Sequence, residues 1–250
     1  MSSDPINHLL RPDGARLAWR RVAGAGPTVV WLGGFRSEMA ATKADALADW
    51  ARRSGRDFLR FDYFGHGVSD GDFSEGTITR WRADALAVID ELVDGPVVLV
   101  GSSMGGWIAC LATMARPERV KALVLVAPAA DFTEKLMGPS LTAEARAEIQ
   151  EKGFWMRPSQ YGEPYPITRG LLEDGARWSI LPGPAPIKAP TRVLQGGEDP
   201  DVPWPHALEL ANALAARDVV FTLIKDGDHR LSRPQDIERL VATVAEAVAL

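Results

Sequence analysis

The hydrophobic pattern of this chain switches repeatedly between two periods. Short runs rich in β-branched residues and Leu recur: "ARLAWRRV", "PTVVWLGG", "DFLRFDYFG", "PVVLVGSS", "VKALVLVAP", "TRVLQGGED" and "VVFTLIKDGDH". After the first, most are nearly continuous apolar runs bounded by Gly or Pro, as in strands buried on both faces of a parallel sheet. Between them lie segments with helical spacing. "TKADALADWARRSG" stops at Gly55. "TITRWRADALAVIDELVDG" carries Ile78, Trp81, Ala85, Val88, Ile89 and Leu92 along one stripe, with Gly95 after its end. "MGGWIACLATMARPE", "HALELANALAARD" and "PQDIERLVATVAEAVAL" have the same spacing. The alternation predicts a single α/β domain over residues 1–250, with a doubly wound, mostly parallel sheet.

One region breaks the alternation. Between Pro128 and Pro190 no strand pattern is visible. "LTAEARAEIQEKG" predicts a helix with Thr142 as N-cap and Gly153 as its stop, and "GLLEDGARWSIL" a second one. Between them "GFWMRPSQYGEPYPITRG" is rich in aromatics, Gly and Pro. An insertion of this size between two core strands predicts a short helical lid over residues 128–190.

Composition narrows the function classes. Hydrophobic residues make up 46% of the chain and charged residues 24%, enough apolar material for a large core. The net charge of −5, with no run of Lys and Arg, argues against a nucleic-acid partner. The one cysteine, Cys110, follows "GGWIA" on the inner face of a helix and reads as a buried, inert thiol. "MSSDPINHLLRPDG" has no basic segment leading into an apolar stretch, and the longest apolar runs are too short to cross a bilayer. These features predict a soluble cytoplasmic protein with no transmembrane segment.

The chemistry is concentrated at "VVLVGSSMGGW". Gly101, Ser103 and Gly105 satisfy G-x-S-x-G with Ser103 at the centre; Ser102 does not, because Met104 stands two positions later. In this motif the nucleophile sits on a sharp strand-to-helix turn that lifts its hydroxyl off the sheet. The flanking "VVLV" and "MGGWIACLATMA" supply the strand and the helix that the motif requires. A nucleophilic serine needs a base, and the base needs an orienting acid, in the chain order Ser, acid, His. His229 follows the last apolar strand and is the candidate base. His66 lies too early in the chain, and His8 and His206 read as surface residues. The acid falls in "LQGGEDPDVPW", where Asp199 is the first choice, Asp201 the reserve and Glu198 the outsider. Asp226 and Asp228 beside His229 read as turn residues. An oxyanion hole takes two N–H donors, here the backbone of Met104 and of Phe35 in "GGFRSEM". No metal or organic cofactor is required by this chemistry.

With these residues placed, the chain resembles the α/β-hydrolase superfamily. It closely resembles one branch, the α/β-hydrolase domain-containing proteins described as palmitoyl-protein thioesterases and acyl-glucuronide esterases. The shared stretches include "GGFRSEM", "FLRFDYFGHGVSDG", "LVGSSMGGW", "LQGGEDPDVPW" and "DGDHRLSRPQDI". The resemblance implies Ser103 as nucleophile, Asp199 as acid and His229 as base of an ester or thioester hydrolase. It implies a small-molecule or acylated-protein substrate. It weakens in the lid, where Phe154, Trp155, Met156, Tyr161, Tyr165 and Trp178 are candidates for an apolar acyl pocket together with Trp107. Arg36, beside the predicted oxyanion loop, is a candidate contact for a carboxylate such as a glucuronate. Two other readings remain at this level: a general carboxylesterase, and a ligand-binding protein that keeps the hydrolase scaffold with little turnover.

Overall fold

The computed structural model describes residues 4–158 and 163–250. The first six strands are β1 (Asn7–Leu10), β2 (Arg16–Val22), β3 (Ala25–Leu32), β4 (Arg56–Phe61), β5 (Val97–Ser102) and β6 (Val120–Val126). A long insertion carries β7 (Phe154–Arg157) and β8 (Tyr165–Thr168). The chain then returns to the sheet as β9 (Thr191–Gly196) and β10 (Val219–Ile224). Eight strands form one sheet in the order β1-β2-β4-β3-β5-β6-β9-β10. The pairs β1–β2 and β2–β4 are antiparallel, and every pair from β4–β3 to β9–β10 is parallel. β1 has no counterpart in the hydrophobic pattern. None of its residues is buried, and it forms by pairing at the sheet edge.

The period-two geometry of the central strands sorts their side chains into two cores. Val98 and Val100 point to one side, where α1 (Thr42–Ser54) and α8 (Pro234–Ala249) bring Ala44, Leu47, Leu240 and Val244. Val97 and Leu99 point to the other, toward α2 (Ile78–Leu92), α3 (Met104–Ala115) and α7 (Trp204–Ala213), which supply Trp81, Ile108 and Leu210. Burial on both faces explains why these strands read as unbroken apolar runs. Leu99 is wholly buried, and its truncation to Ala would cost about 2–5 kcal/mol.

Residues between β6 and β9 build the insertion. A π-helical turn (Thr133–Met137) runs into the one-turn helix α4 (Gly138–Ser140), followed by α5 (Ala143–Lys152) and α6 (Arg169–Ala176). The Thr142 side chain caps α5 and Gly153 ends it, as the sequence predicts. The expectation of a strand-free insertion is corrected: Phe154–Arg157 and Tyr165–Thr168 pair as an antiparallel hairpin. Each strand has only four residues, and Pro166 interrupts the apolar pattern without cost because edge positions tolerate a missing N–H.

Two buried carboxylates hold the insertion down. Asp131 accepts the Ile180 and Leu181 N–H groups and the Ser179 hydroxyl, tying the start of the insertion to its end. Asp174 on α6 accepts the N–H and hydroxyl of Thr79, both at 2.7 Å, at the first turn of α2. A carboxylate at a helix N-terminus satisfies a free N–H and complements the helix dipole.

Candidate active site

Ser103 stands where β5 turns into α3, with φ 55° and ψ −120°. A side-chain-bearing residue is strained there, and the strain persists because strand and helix clamp both sides of the turn. The flanking glycines make the clamp possible. A Cβ at Gly101 would lie 2.3 Å from the Gly105 carbonyl oxygen, and one at Gly105 would lie 2.1 Å from the Leu32 oxygen. Ser102 is buried within β5, whereas Ser103 is half-buried.

The Ser103 Oγ lies 3.1 Å from His229 Nε2, and His229 Nδ1 lies 2.8 Å from Asp199 Oδ2. An Nδ1–H donating to the carboxylate leaves the Nε2 lone pair facing the hydroxyl. The Asp199 side chain is fully buried and accepts four donors. Oδ1 takes the N–H groups of Asp201 and Val202; Oδ2 takes His229 and the Gln195 amide. The structure thus brings Asp199, not Asp201 or Glu198, onto the histidine, and the latter two are exposed. Asp226 pairs with Arg233, and Asp228 accepts the Leu231 N–H within its turn. Asp199, Asp201 and His229 each bring a ligand atom within 4.8 Å of the others. A cation there would have to displace N–H groups already bound to Asp199, so the group does not fit a metal.

The loop after β3 approaches from the other side. A Cβ on Gly34 would lie 3.4 Å from the Ser103 Cβ, so this loop touches the serine. Neither the Phe35 nor the Met104 N–H meets an acceptor among the described residues. The Arg36 N–H is bound by His66 Nε2 at 3.1 Å. Burial brings His66 down to about 4, with the nearby Arg36 charge acting in the same direction and the Phe64 carbonyl opposing.

A cavity of about 460 Å³ opens above Ser103. Its lining includes the apolar Ala129, Phe132, Leu136, Met137 and Val202, together with Arg36 from the loop after β3 and Arg157 and Tyr165 from the β7–β8 hairpin. Of the residues expected to line it, Arg36 and Tyr165 do so. Trp107 does not: it is wholly buried, its ring edge-on to Phe132. Trp155 packs on the core, while Phe154 and Met156 project from the opposite, exposed face of β7. Trp178 is spent on the Thr79 hydroxyl, with the Arg82 guanidinium over its ring. Tyr161 lies outside the described residues. His206 is buried rather than on the surface, its Nε2 2.8 Å from the Ala130 oxygen. Sequence reasoning missed Arg157 and Gln195. The signals were a lone cation in an aromatic segment and a lone amide ending an apolar strand. Cys110 is buried and its thiol is pushed up to about 12 by desolvation, so it is inert.

Residues 22–243 match the family described as the alpha/beta hydrolase family. The chain belongs to the alpha/beta hydrolase family. This hydrolase is 39% identical over 245 residues to the Bos taurus protein named palmitoyl-protein thioesterase ABHD10, mitochondrial, covering 97% of this chain and 80% of that one. Among solved structures it resembles one from Agrobacterium vitis S4, with a TM-score of 0.94 and 43% identity over 99% of this chain and 100% of that one. It also resembles mouse alpha/beta hydrolase domain-containing protein 10, with a TM-score of 0.90, 36% identity and 98% coverage of both chains. Among the described residues of this hydrolase, no helix is long and apolar enough to cross a membrane.

Proposed function

We propose that this hydrolase cleaves carboxylic thioesters or esters through an acyl-enzyme, with Ser103 as nucleophile, His229 as general base and Asp199 as its orienting acid. The observation that carries this reading is the continuous Ser103–His229–Asp199 hydrogen-bond chain at the base of the cavity. His229 Nε2 takes the hydroxyl proton as Ser103 Oγ attacks the acyl carbon. Asp199 stabilises the imidazolium without taking its proton. The Phe35 and Met104 N–H groups receive the oxyanion, and the N-terminus of α3 adds its dipole. The imidazolium then protonates the departing thiol or alcohol. Water repeats the sequence on the acyl-enzyme and regenerates Ser103.

The lining supports a division of the substrate. The apolar wall of Phe132, Leu136, Met137 and Val202 suits a fatty or bulky apolar acyl group. The wall with Arg36 and Arg157 suits an anionic leaving group, as in an acyl glucuronide. Residues 128–190 act as the lid that supplies much of both walls. The thioesterase activity named for the relatives makes acyl thioesters the first substrates to test. The test is a chain-length series of acyl thioesters and matching oxoesters, with Ser103→Ala as blank and one uronate ester against its neutral sugar counterpart. Turnover that depends on Ser103 and favours medium or long acyl thioesters supports the thioesterase reading. A uronate preference lost in Arg157→Ala supports the acyl-glucuronide reading. Equal inertness of wild type and variant on the whole series would sink both.

A further inference from the structure

The geometry points to His66 as a positioning residue for the reaction: its Nε2 holds the Arg36 N–H and so aims the preceding Phe35 N–H at the substrate oxygen. This rests on the catalytic reading of Ser103 and adds a residue to it.

The imidazole is locked by its own hydrogen bonds. Nδ1 lies 3.1 Å from the Phe64 carbonyl oxygen, and only an N–H can face that atom. Nε2 therefore keeps its lone pair, which the Arg36 N–H meets. The ring is 3% exposed and cannot swing away. Tyr63, Phe73 and Trp81 stand around it, ring centroids 5.2–5.7 Å away, each close to edge-on. The Trp81 indole N–H donates to the same Phe64 carbonyl that His66 uses.

The loop it holds would not keep its shape alone. Arg36 has φ +59°, a left-handed conformation that a residue with a Cβ leaves when nothing opposes it. Two hydrogen bonds from backbone N–H groups oppose it: the Ser37 N–H on the Gly34 oxygen, closing the turn, and the Arg36 N–H on His66; the Arg36 guanidinium adds a hold on the Glu163 carbonyl and over the Tyr165 ring. The Phe35 ring is wedged between Phe73, Trp81, Phe132 and Tyr165, centroids 4.9–5.8 Å away. Its side chain and the following N–H are both anchored, which leaves its own N–H pointing free. Loss of the His66 acceptor strands the Arg36 N–H. The loop then relaxes by rotating the peptides on either side of Phe35, and the rotation moves the Phe35 N–H off the oxyanion position.

In the sequence, His66 of "FGHG" lies too early in the chain to be the base and has no other assigned task. The chemistry needs an acceptor that is neutral at working pH. A lysine or arginine would offer only donors, and a carboxylate would place a negative charge beside the developing oxyanion.

The test compares His66→Gln, which keeps an acceptor oxygen near the Nε2 position, with His66→Phe, which keeps a ring but no acceptor. Each is measured for kcat and KM on an acyl thioester, for thermal midpoint, and for affinity toward a trifluoromethyl ketone, which binds Ser103 as an anionic hemiketal. His66→Phe is expected to lose 10- to 100-fold in kcat and in ketone affinity, with KM changed less than threefold. His66→Gln is expected to recover most of that loss at a similar thermal midpoint. The proposal is overturned if kcat and ketone affinity survive in His66→Phe, or if His66→Gln falls as far as His66→Phe. Ser103→Ala separates the two levels of the argument: activity that survives it removes the catalytic reading itself, whatever the His66 variants do.

Discussion

Gly105→Ala probes how tightly the two halves of the site are pressed together. The added Cβ would sit 2.1 Å from the Leu32 oxygen and 2.5 Å from the Gly33 oxygen. Ordinary contact begins near 3.4 Å, so one side must retreat by more than an ångström. Both neighbours are backbone, with no flexible side-chain end to give way. On one side is the first turn of α3, which carries the Met104 N–H. On the other is the end of β3, which leads into the Phe35 N–H. Alanine gains about 1 kcal/mol over glycine in helix propensity. Forced overpacking costs about 1–3 kcal/mol or more and outweighs it. The net loss is then up to about 2 kcal/mol, and the thermal midpoint should fall by up to about 8 °C, given roughly 2–4 °C per kcal/mol at this chain length. The larger effect is catalytic: an ångström of misplacement costs on the order of 100-fold in rate. Thermal unfolding and kcat on an acyl thioester are measured for Gly105→Ala beside Gly170→Ala, where the new Cβ meets nothing within 4 Å. The control should keep wild-type kcat. A Gly105→Ala enzyme within twofold of wild type in kcat would show that the close approach of α3 to β3 does not shape the site.

Three further outcomes are expected. Asp199→Asn should lower kcat by about 1,000- to 10,000-fold with little change in KM, because an amide cannot accept from all four donors and favours the wrong histidine tautomer; a loss under tenfold contradicts the assigned role. Asp174→Ala should cost about 3 kcal/mol in urea unfolding, since it strands the Thr79 N–H and hydroxyl; a loss below about 1 kcal/mol means that the α6–α2 latch is not structural. His66 titrates near 4 when folded against 6.5 when free, so between those values the unfolded chain binds the extra proton and stability falls as pH drops. Asp84, raised to about 6 by burial, works the other way over pH 3.8 to 6, and each contributes a slope of about 1.4 kcal/mol per pH unit. Unfolding free energies from pH 4 to 6.5 should therefore lose steepness in the acid-destabilising direction in His66→Gln and gain it in Asp84→Asn; unchanged slopes would refute both assignments.

The parallel core and the residues of the hydrogen-bond chain were legible because their signals are local. The centres of β3, β5, β6 and β9 are buried on both faces, so their apolar runs are nearly continuous and stand out. G-x-S-x-G lies within one turn, and chain order alone separates His229 from His66. The choice of Asp199 over Asp201 was only a preference in the sequence, because the two are interchangeable as letters. Backbone N–H groups of Asp201 and Val202, closing on Asp199, decide it.

What the tertiary structure decided is which side chains meet across the insertion. Alternation along a four-residue strand turns Arg157 toward the cavity and Phe154 away from it, and four residues are too few for the period to show among Gly and Pro. Trp107 and Trp178 looked like pocket aromatics by type, but packing against Phe132 and the Thr79 hydroxyl claimed them. His66 gained its partner only when a segment 30 residues away closed on it, whereas Gln195 reaches Asp199 across a four-residue turn whose shape the letters do not show. The sequence by itself determined the parallel core of the sheet, the strand-to-helix turn at Ser103 and the candidates Ser103 and His229, because burial period and turn sterics act on neighbours in the chain. Folding decided the walls of the cavity and the supports of its donors, because hydrogen bonds and packing there join residues that the chain keeps apart.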